Sequence, residues 1–253
     1  MKGFVPVLRK ELYIFFASPI YYVVGGIFLL LTGYFFYSAV AYFHLISFQA
    51  FRAMGRLSFS EMVLKPLFDD MSIILLLLLP LLSMRLFAEE TKSGTREWLL
   101  TYPLSDMGVL LGKYGACCLV FATYLAATLP YILFLAWIYP LEWGVLLTSY
   151  LGLLLMGASF ISLGLFASSL TENQIIAAVF GFGSLLFFWV LGWARSLAGP
   201  FLGKILEALS LLEQMDPFSK GLLDSRALVY TFVFTLFFLF LTLRNLELKR
   251  IGG

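Results

Sequence analysis

Charge is scarce in this chain. Of its 253 residues, 13% are Asp, Glu, Lys or Arg, against about 25% in an ordinary soluble domain. The net charge is +2, which supplies neither a basic field for a nucleic acid nor an acidic one for a cationic partner. There is one histidine, His44, so a zinc motif built on two histidines is impossible. The two cysteines, Cys117 and Cys118, are adjacent. Neighbours in a helix cannot meet disulfide geometry, and no metal-ligand spacing exists, so they read as small buried residues. No phosphate-cradling G-x-x-x-x-G-K-[ST] loop occurs. "GVLLGKY" at Gly108–Tyr114 has the wrong spacing and lacks the hydroxyl that holds magnesium. "EETKSG" at Glu89–Gly94 falls short of the E-E-x-x-x-R pattern of certain membrane proteases, because the sixth position is Gly94. No catalytic residue, cofactor or metal site is called for, and the chain is expected to carry no ATPase of its own.

What the chain has instead is apolar surface: 61% hydrophobic residues, 18% aromatic, and a mean hydropathy of +0.95. That composition reads as an integral membrane protein. A helix needs roughly 20 apolar residues to cross a bilayer, and six stretches qualify. They run over about Pro19–Phe43, Phe68–Phe87, Met107–Tyr139, Gly144–Leu170, Glu172–Trp193 and Ala227–Leu243. Ser18 and Pro19 fit the N-cap and first position of the first span. A Thr171-x-x-Gln174 capping box opens the fifth. Pro80 and Pro130 fall inside spans two and three, where neighbouring helices can satisfy the freed carbonyls. No A-x-A-like cleavage site follows the first span, which therefore reads as retained. No charged residue is expected at mid-membrane depth, which argues against a proton-coupled carrier or an intramembrane hydrolase.

Six spans put both termini on one side. If that side is the cytoplasm, Arg52, Arg56, Lys65, Arg195, Lys204, Lys220 and Arg226 lie outside and the other ten of 17 Lys and Arg lie inside, a thin positive-inside bias. The single transmembrane domain 1–253 has three parts besides its spans. In residues 1–16, Phe4, Leu8, Leu12 and Phe15 recur at helical spacing, while Lys2, Arg9 and Lys10 lie on the other side of the wheel. That pattern, with Glu11 beside it, predicts an amphipathic helix lying in the headgroup region. In residues 194–226, a Gly199-Pro200 break precedes a stripe of Phe201, Leu202, Ile205, Leu206, Leu209 and Leu212. This is a short outer helix that dips into the leaflet or caps the bundle.

The third part is a polar knot, "AEETKSGTREWLLTYPL", over residues 88–104, between spans two and three. Glu89, Glu90, Lys92, Arg96 and Glu97 are read as lying in water. Ser93-Gly94 is a break, and Thr95 can cap a new short helix. Two readings remain open on pattern: a solvated hairpin, or a docking knob for a cytoplasmic partner.

"FAEETKSGTREWLLTYPLSDMGVLLGKY" resembles the segment between the second and third spans of ABC type-2 transporter permeases, roughly E-x-x-x-G-T-x-E-x-L-x-x-x-P followed by G-K. Glu90, Gly94, Thr95, Glu97, Leu99, Pro103, Gly112 and Lys113 match it, while Arg96 and Trp98 depart from it. "LPLLSMRLFAEE", "SSLTENQIIAA" and "FSKGLLDSRALVYTFVFTLFFLFLTLRNLELKR" resemble more narrowly the gliding-motility permeases and those of nitrous oxide reductase copper-site maturation. The resemblance implies an all-α polytopic permease with six transmembrane helices, short outer re-entrant helices and an N-terminal elbow helix carrying Arg9, Lys10 and Glu11. It implies a coupling helix at 88–104, with Glu89, Glu90, Lys92, Gly94, Thr95, Arg96 and Glu97 seated on a separate ABC ATPase. The implied partners are two ATPase copies, a second permease copy or paralogue, a subunit with a large periplasmic domain, and membrane lipid. The implied place is the bacterial inner membrane with both termini cytoplasmic, and the implied activity is ATP-driven export. A membrane scaffold that moves nothing, and a secondary carrier or channel, stay as rival classes.

Overall fold

The architecture comes from a computed structural model, which describes residues 3–50, 59–94, 105–139, 141–194 and 199–251. In chain order the helices are α1 (Phe4–Ala17), α2 (Pro19–Ala50), α3 (Lys65–Ser83), α4 (Arg85–Lys92), α5 (Asp106–Ile138), α6 (Trp143–Leu170), α7 (Gln174–Ala194), α8 (Pro200–Leu209), α9 (Leu211–Ser219) and α10 (Ser225–Ile251). A π-helical turn, Ser60–Leu64, leads into α3. No strand occurs among the described residues.

Among the described residues, six helical stretches are long and apolar enough to cross a membrane: Pro19–Ser47, Met62–Lys92, Asp106–Ile138, Trp143–Leu170, Gln174–Ala194 and Ser225–Arg250. They coincide with the six sequence-read spans but differ at their ends. The second is the clearest case, because α3 and α4 form one stretch to Lys92. The helix continues through Pro80. Met84 N–H donates to the Pro80 carbonyl and Ser83 Oγ to the Leu79 carbonyl at 2.9 Å, so the turn after the proline keeps its hydrogen bonds. The sixth span runs on past Leu243 because "RNLELKR" still favours a helix. Arg244 pairs with Glu247 one turn on, and Lys249 and Arg250 sit at the negative end of the dipole. The fifth opens differently from the capping box. Thr171 Oγ1 accepts from Asn173 N–H at 3.1 Å and Asn173 Oδ1 from Ile175 N–H at 2.9 Å, so Asn173 does the capping.

The spans are not equivalent. In their most apolar windows, 78% of the second and 72% of the fourth are buried, against 22%, 28% and 28% of the first, fifth and sixth. The second and fourth thus form the axis of the bundle, and α6 packs against α3, α5, α7, α9 and α10. The outer segment forms α8 and α9. Leu211, Met215 and Phe218 of α9 are buried against α6 and α7. Phe201, Leu202, Ile205 and Leu209 of α8 are exposed, so that stripe faces away from the bundle.

A buried ion cluster at one end of the bundle

α1 lies against α5. The approach depends on Gly112: a Cβ there would stand 2.9 Å from Val7 Cβ and 3.1 Å from the Phe4 carbonyl oxygen. α1 buries Val7, Glu11 and Phe15 and exposes Val5, Arg9, Tyr13 and Phe16. Phe4, Leu8 and Leu12 are half-buried beside that stripe, so the protein-facing side contains a carboxylate while apolar Val5, Tyr13 and Phe16 lie on the exposed side.

That carboxylate has a built environment. Lys113, in the second turn of α5, is 1% exposed. Its Nζ lies 2.8 Å from Glu11 Oε1 and 2.9 Å from Glu90 Oε1, and it donates to the Leu86 carbonyl at 2.7 Å. Lys10 Nζ reaches Glu90 Oε1 at 2.7 Å and Glu11 Oε1 at 3.4 Å. Two lysines and two glutamates from α1, α4 and α5 make a neutral quartet. The Phe87 ring centroid lies 5.3 Å from the Lys113 ammonium, within cation–π range. Burial works against the Lys10 charge, but its hydrogen bonds and Coulomb attraction to Glu90 and Glu11 outweigh that, and its pKa is raised.

Two further contacts fasten α4. Arg85, also buried, donates from Nη1 to Ser18 Oγ at 2.8 Å, and its guanidinium carbon lies 4.5 Å from the centre of the Phe15 ring. Ser168, near the end of α6, accepts from the N–H groups of Phe87 and Ala88 at 3.1 Å each and donates to the Met84 carbonyl at 2.6 Å. α10 ends on the same side: Arg250 reaches Asp106 at 3.2 Å and Lys249 the Ser169 carbonyl at 2.8 Å.

These placements correct part of the sequence reading. Glu90 is not in water; its side chain is 14% exposed and points into the quartet. The boundary at residue 88 also falls inside α4, so Ala88–Lys92 belong to the helix that continues span two. Glu89, Lys92 and Arg9 are exposed. Gly94 adopts φ 68°, the left-handed conformation that suits glycine, and so ends α4. Thr95, Arg96 and Glu97 lie outside the described residues. The sequence reading missed Arg85 and Ser168 and took Lys113 only as part of a G-K pair. The available signal was a lysine inside an otherwise apolar stretch, which needs a partner.

The described residues thus form a polytopic helical bundle whose buried charged side chains, Glu11, Arg85 and Lys113, gather at one end. The family model for ABC-2 family transporter proteins matches residues 5–243. The chain belongs to that family and is an ABC transporter permease, a class that works with an ABC ATPase. No curated protein matches the chain.

Proposed function

We propose that the chain is half of an exporter, moved by a separate ATPase subunit that seats on residues 88–104. The working assembly is two permease chains, identical or paralogous, with two ATPase chains, in a bacterial inner membrane with both termini cytoplasmic. The resemblance to the gliding-motility and copper-site maturation permeases adds a subunit with a large periplasmic domain as a partner of the former branch. One observation carries this reading: Glu90 Oε1 lies within 2.9 Å of lysines from two other elements. A push on the 88–104 segment enters α4 and passes through Glu90 to Lys113 on α5 and Lys10 on α1. Close-packed elements shift as units between discrete arrangements and do not deform continuously. α1, α4 and the start of α5 therefore move together, and α1 acts as the elbow.

Docking and transmission then divide between residues. Glu89, Lys92 and Arg9 face outward and, with Thr95, Arg96 and Glu97, are the docking groups, while Glu90 and Lys113 transmit. The purified chain should hydrolyse no ATP. Glu89→Lys with Glu97→Lys should reduce ATPase recovery in a pull-down while membrane insertion is retained. Lys113→Met should keep ATPase recovery but lower the ATP turnover that the permease stimulates. Full ATPase recovery with the double reversal would remove the docking role from 88–104.

A further inference from the structure

At the end of the bundle opposite the quartet, α7 and α10 both pack on α6 and leave a groove between them, lined by Lys204, Arg226, Phe188, Val229, Val233 and Phe237 among others. Its volume is about 1230 Å³, larger than the roughly 300–1,000 Å³ of an ordinary small-molecule site. Its floor is aromatic, with Phe188 and Phe234 centroids 5.2 Å apart and Phe234 and Phe238 4.7 Å apart. Tyr230 donates to the Leu209 carbonyl at 2.8 Å, which ties α8 over the mouth.

The rim carries both signs of charge, but the acids are largely answered. Asp216 is held by Lys65 at 2.7 Å and by Lys220 one turn on. Asp224 Oδ1 accepts the Arg226 N–H at 2.9 Å, at the positive end of the α10 dipole. Glu213 also lines the rim. The exposed side chains of Lys204 and Arg226 have no ion-pair partner among the described residues. Lys204 and Arg226 are thus the rim cations not engaged by a carboxylate among the described residues, and they are the groups at the mouth that can meet an anion.

Depth supplies the other half of the recognition. Arg226 lies in the first turn of α10 and Phe238 twelve residues on, about 18 Å at the ~1.5 Å rise of a helix. That is close to one leaflet of a hydrocarbon core about 30 Å thick. The groove thus begins at headgroup level with two cations and descends along an apolar wall for one monolayer.

We propose that this groove is a binding site for an anionic glycerophospholipid of the adjacent leaflet. Its phosphate is held by Lys204 and Arg226, and an acyl chain lies along Val229, Val233 and Phe237 over the Phe188–Phe234–Phe238 floor. The site does not depend on the exporter reading. The test uses the full chain in nanodiscs of equal phosphatidylglycerol and phosphatidylcholine, released into a native mass spectrometer, with no ATPase present. The unmodified chain should retain phosphatidylglycerol at least fivefold over phosphatidylcholine. K204E/R226E should abolish that preference, and V233W should reduce retention of both lipids. Excess glycerol 3-phosphate should not displace the lipid, because the chain contributes to binding. Equal retention of the two lipids, unchanged preference in K204E/R226E, displacement by glycerol 3-phosphate, or a lipid-free dimer would each overturn the proposal.

Discussion

Lys113 is a cation with almost no water, held by Glu11, Glu90 and a backbone carbonyl. Such groups add little net stability when complete, yet removing one partner typically costs about 3–5 kcal/mol because the remaining charge stays buried. Lys113→Met should therefore destabilise the chain by about that amount. Lys113→Met with Glu11→Leu leaves Lys10 and Glu90 as a neutral pair and should recover much of the loss. Denaturant titration in micelles checks the order, and a double variant less stable than Lys113→Met refutes it. The two pKa shifts outside the spans make the pH dependence asymmetric. The raised Lys10 pKa contributes stability that is complete below the ordinary 10.5 and is lost as pH rises through the folded value above it. For Asp216, burial raises the carboxyl pKa, but hydrogen bonds and attraction from Lys220 and Lys65 outweigh it. The net lowering contributes stability above 3.8 that is lost as pH falls through the folded value. Thermal scans should show Lys10→Met flattening the alkaline limb and Asp216→Asn the acid limb.

Helix α1 sits where it does because Gly112 lets two backbones approach. Gly112→Val inserts side-chain atoms where even a Cβ stands 2.9 Å from Val7 Cβ. The expected cost is about 1–3 kcal/mol for overpacking, with α1 displaced from α5. Limited proteolysis near Phe16 should become faster, while the central α3–α6 contact is spared. An unaltered cleavage rate would mean that Gly112 is not the seat of α1. The helix α4 was the element least legible in sequence. "FAEETK" is polar enough to read as cytoplasmic loop, but its Glu90 meets Lys10 and Lys113, which are distant in sequence. Hydropathy scores each residue against solvent and cannot register a partner 80 positions away.

For the whole bundle, the proposed orientation puts the end with the basic excess in the cytoplasm. Labelling sites need accessible side chains, and the structure selects them. Ser210 is fully buried as the N-cap of α9, whereas Lys220 and Leu223 are exposed at one end and Glu89 at the other. Cysteines replacing Lys220 and Leu223 should react with an impermeant thiol reagent from outside cells, and one replacing Glu89 should not. External labelling at Glu89 would invert the topology and remove the 88–104 segment from any cytoplasmic ATPase. The weakly buried first, fifth and sixth spans leave apolar faces for lipid or a second permease chain.

Six spans, a helical start and the absence of a phosphate loop were legible from sequence because each is a local property. Length, apolar run and 3.6-residue periodicity need no knowledge of neighbours. Gly94 could likewise be read as a break, since its backbone conformation is set within one turn. The interior ordering of the bundle was not legible, because "LLLLLP" in the second span and "GSLLFFWV" in the fifth are equally greasy. One is buried by protein and the other is mostly exposed, and lipid satisfies an apolar side chain as well as protein does. The roles of Glu11, Glu90 and Lys113 were decided by tertiary structure alone. A charge near a span end can reach water or a buried partner with the same local sequence. Here the close approach of α1 to α5 at Gly112 excluded the water and left the partner.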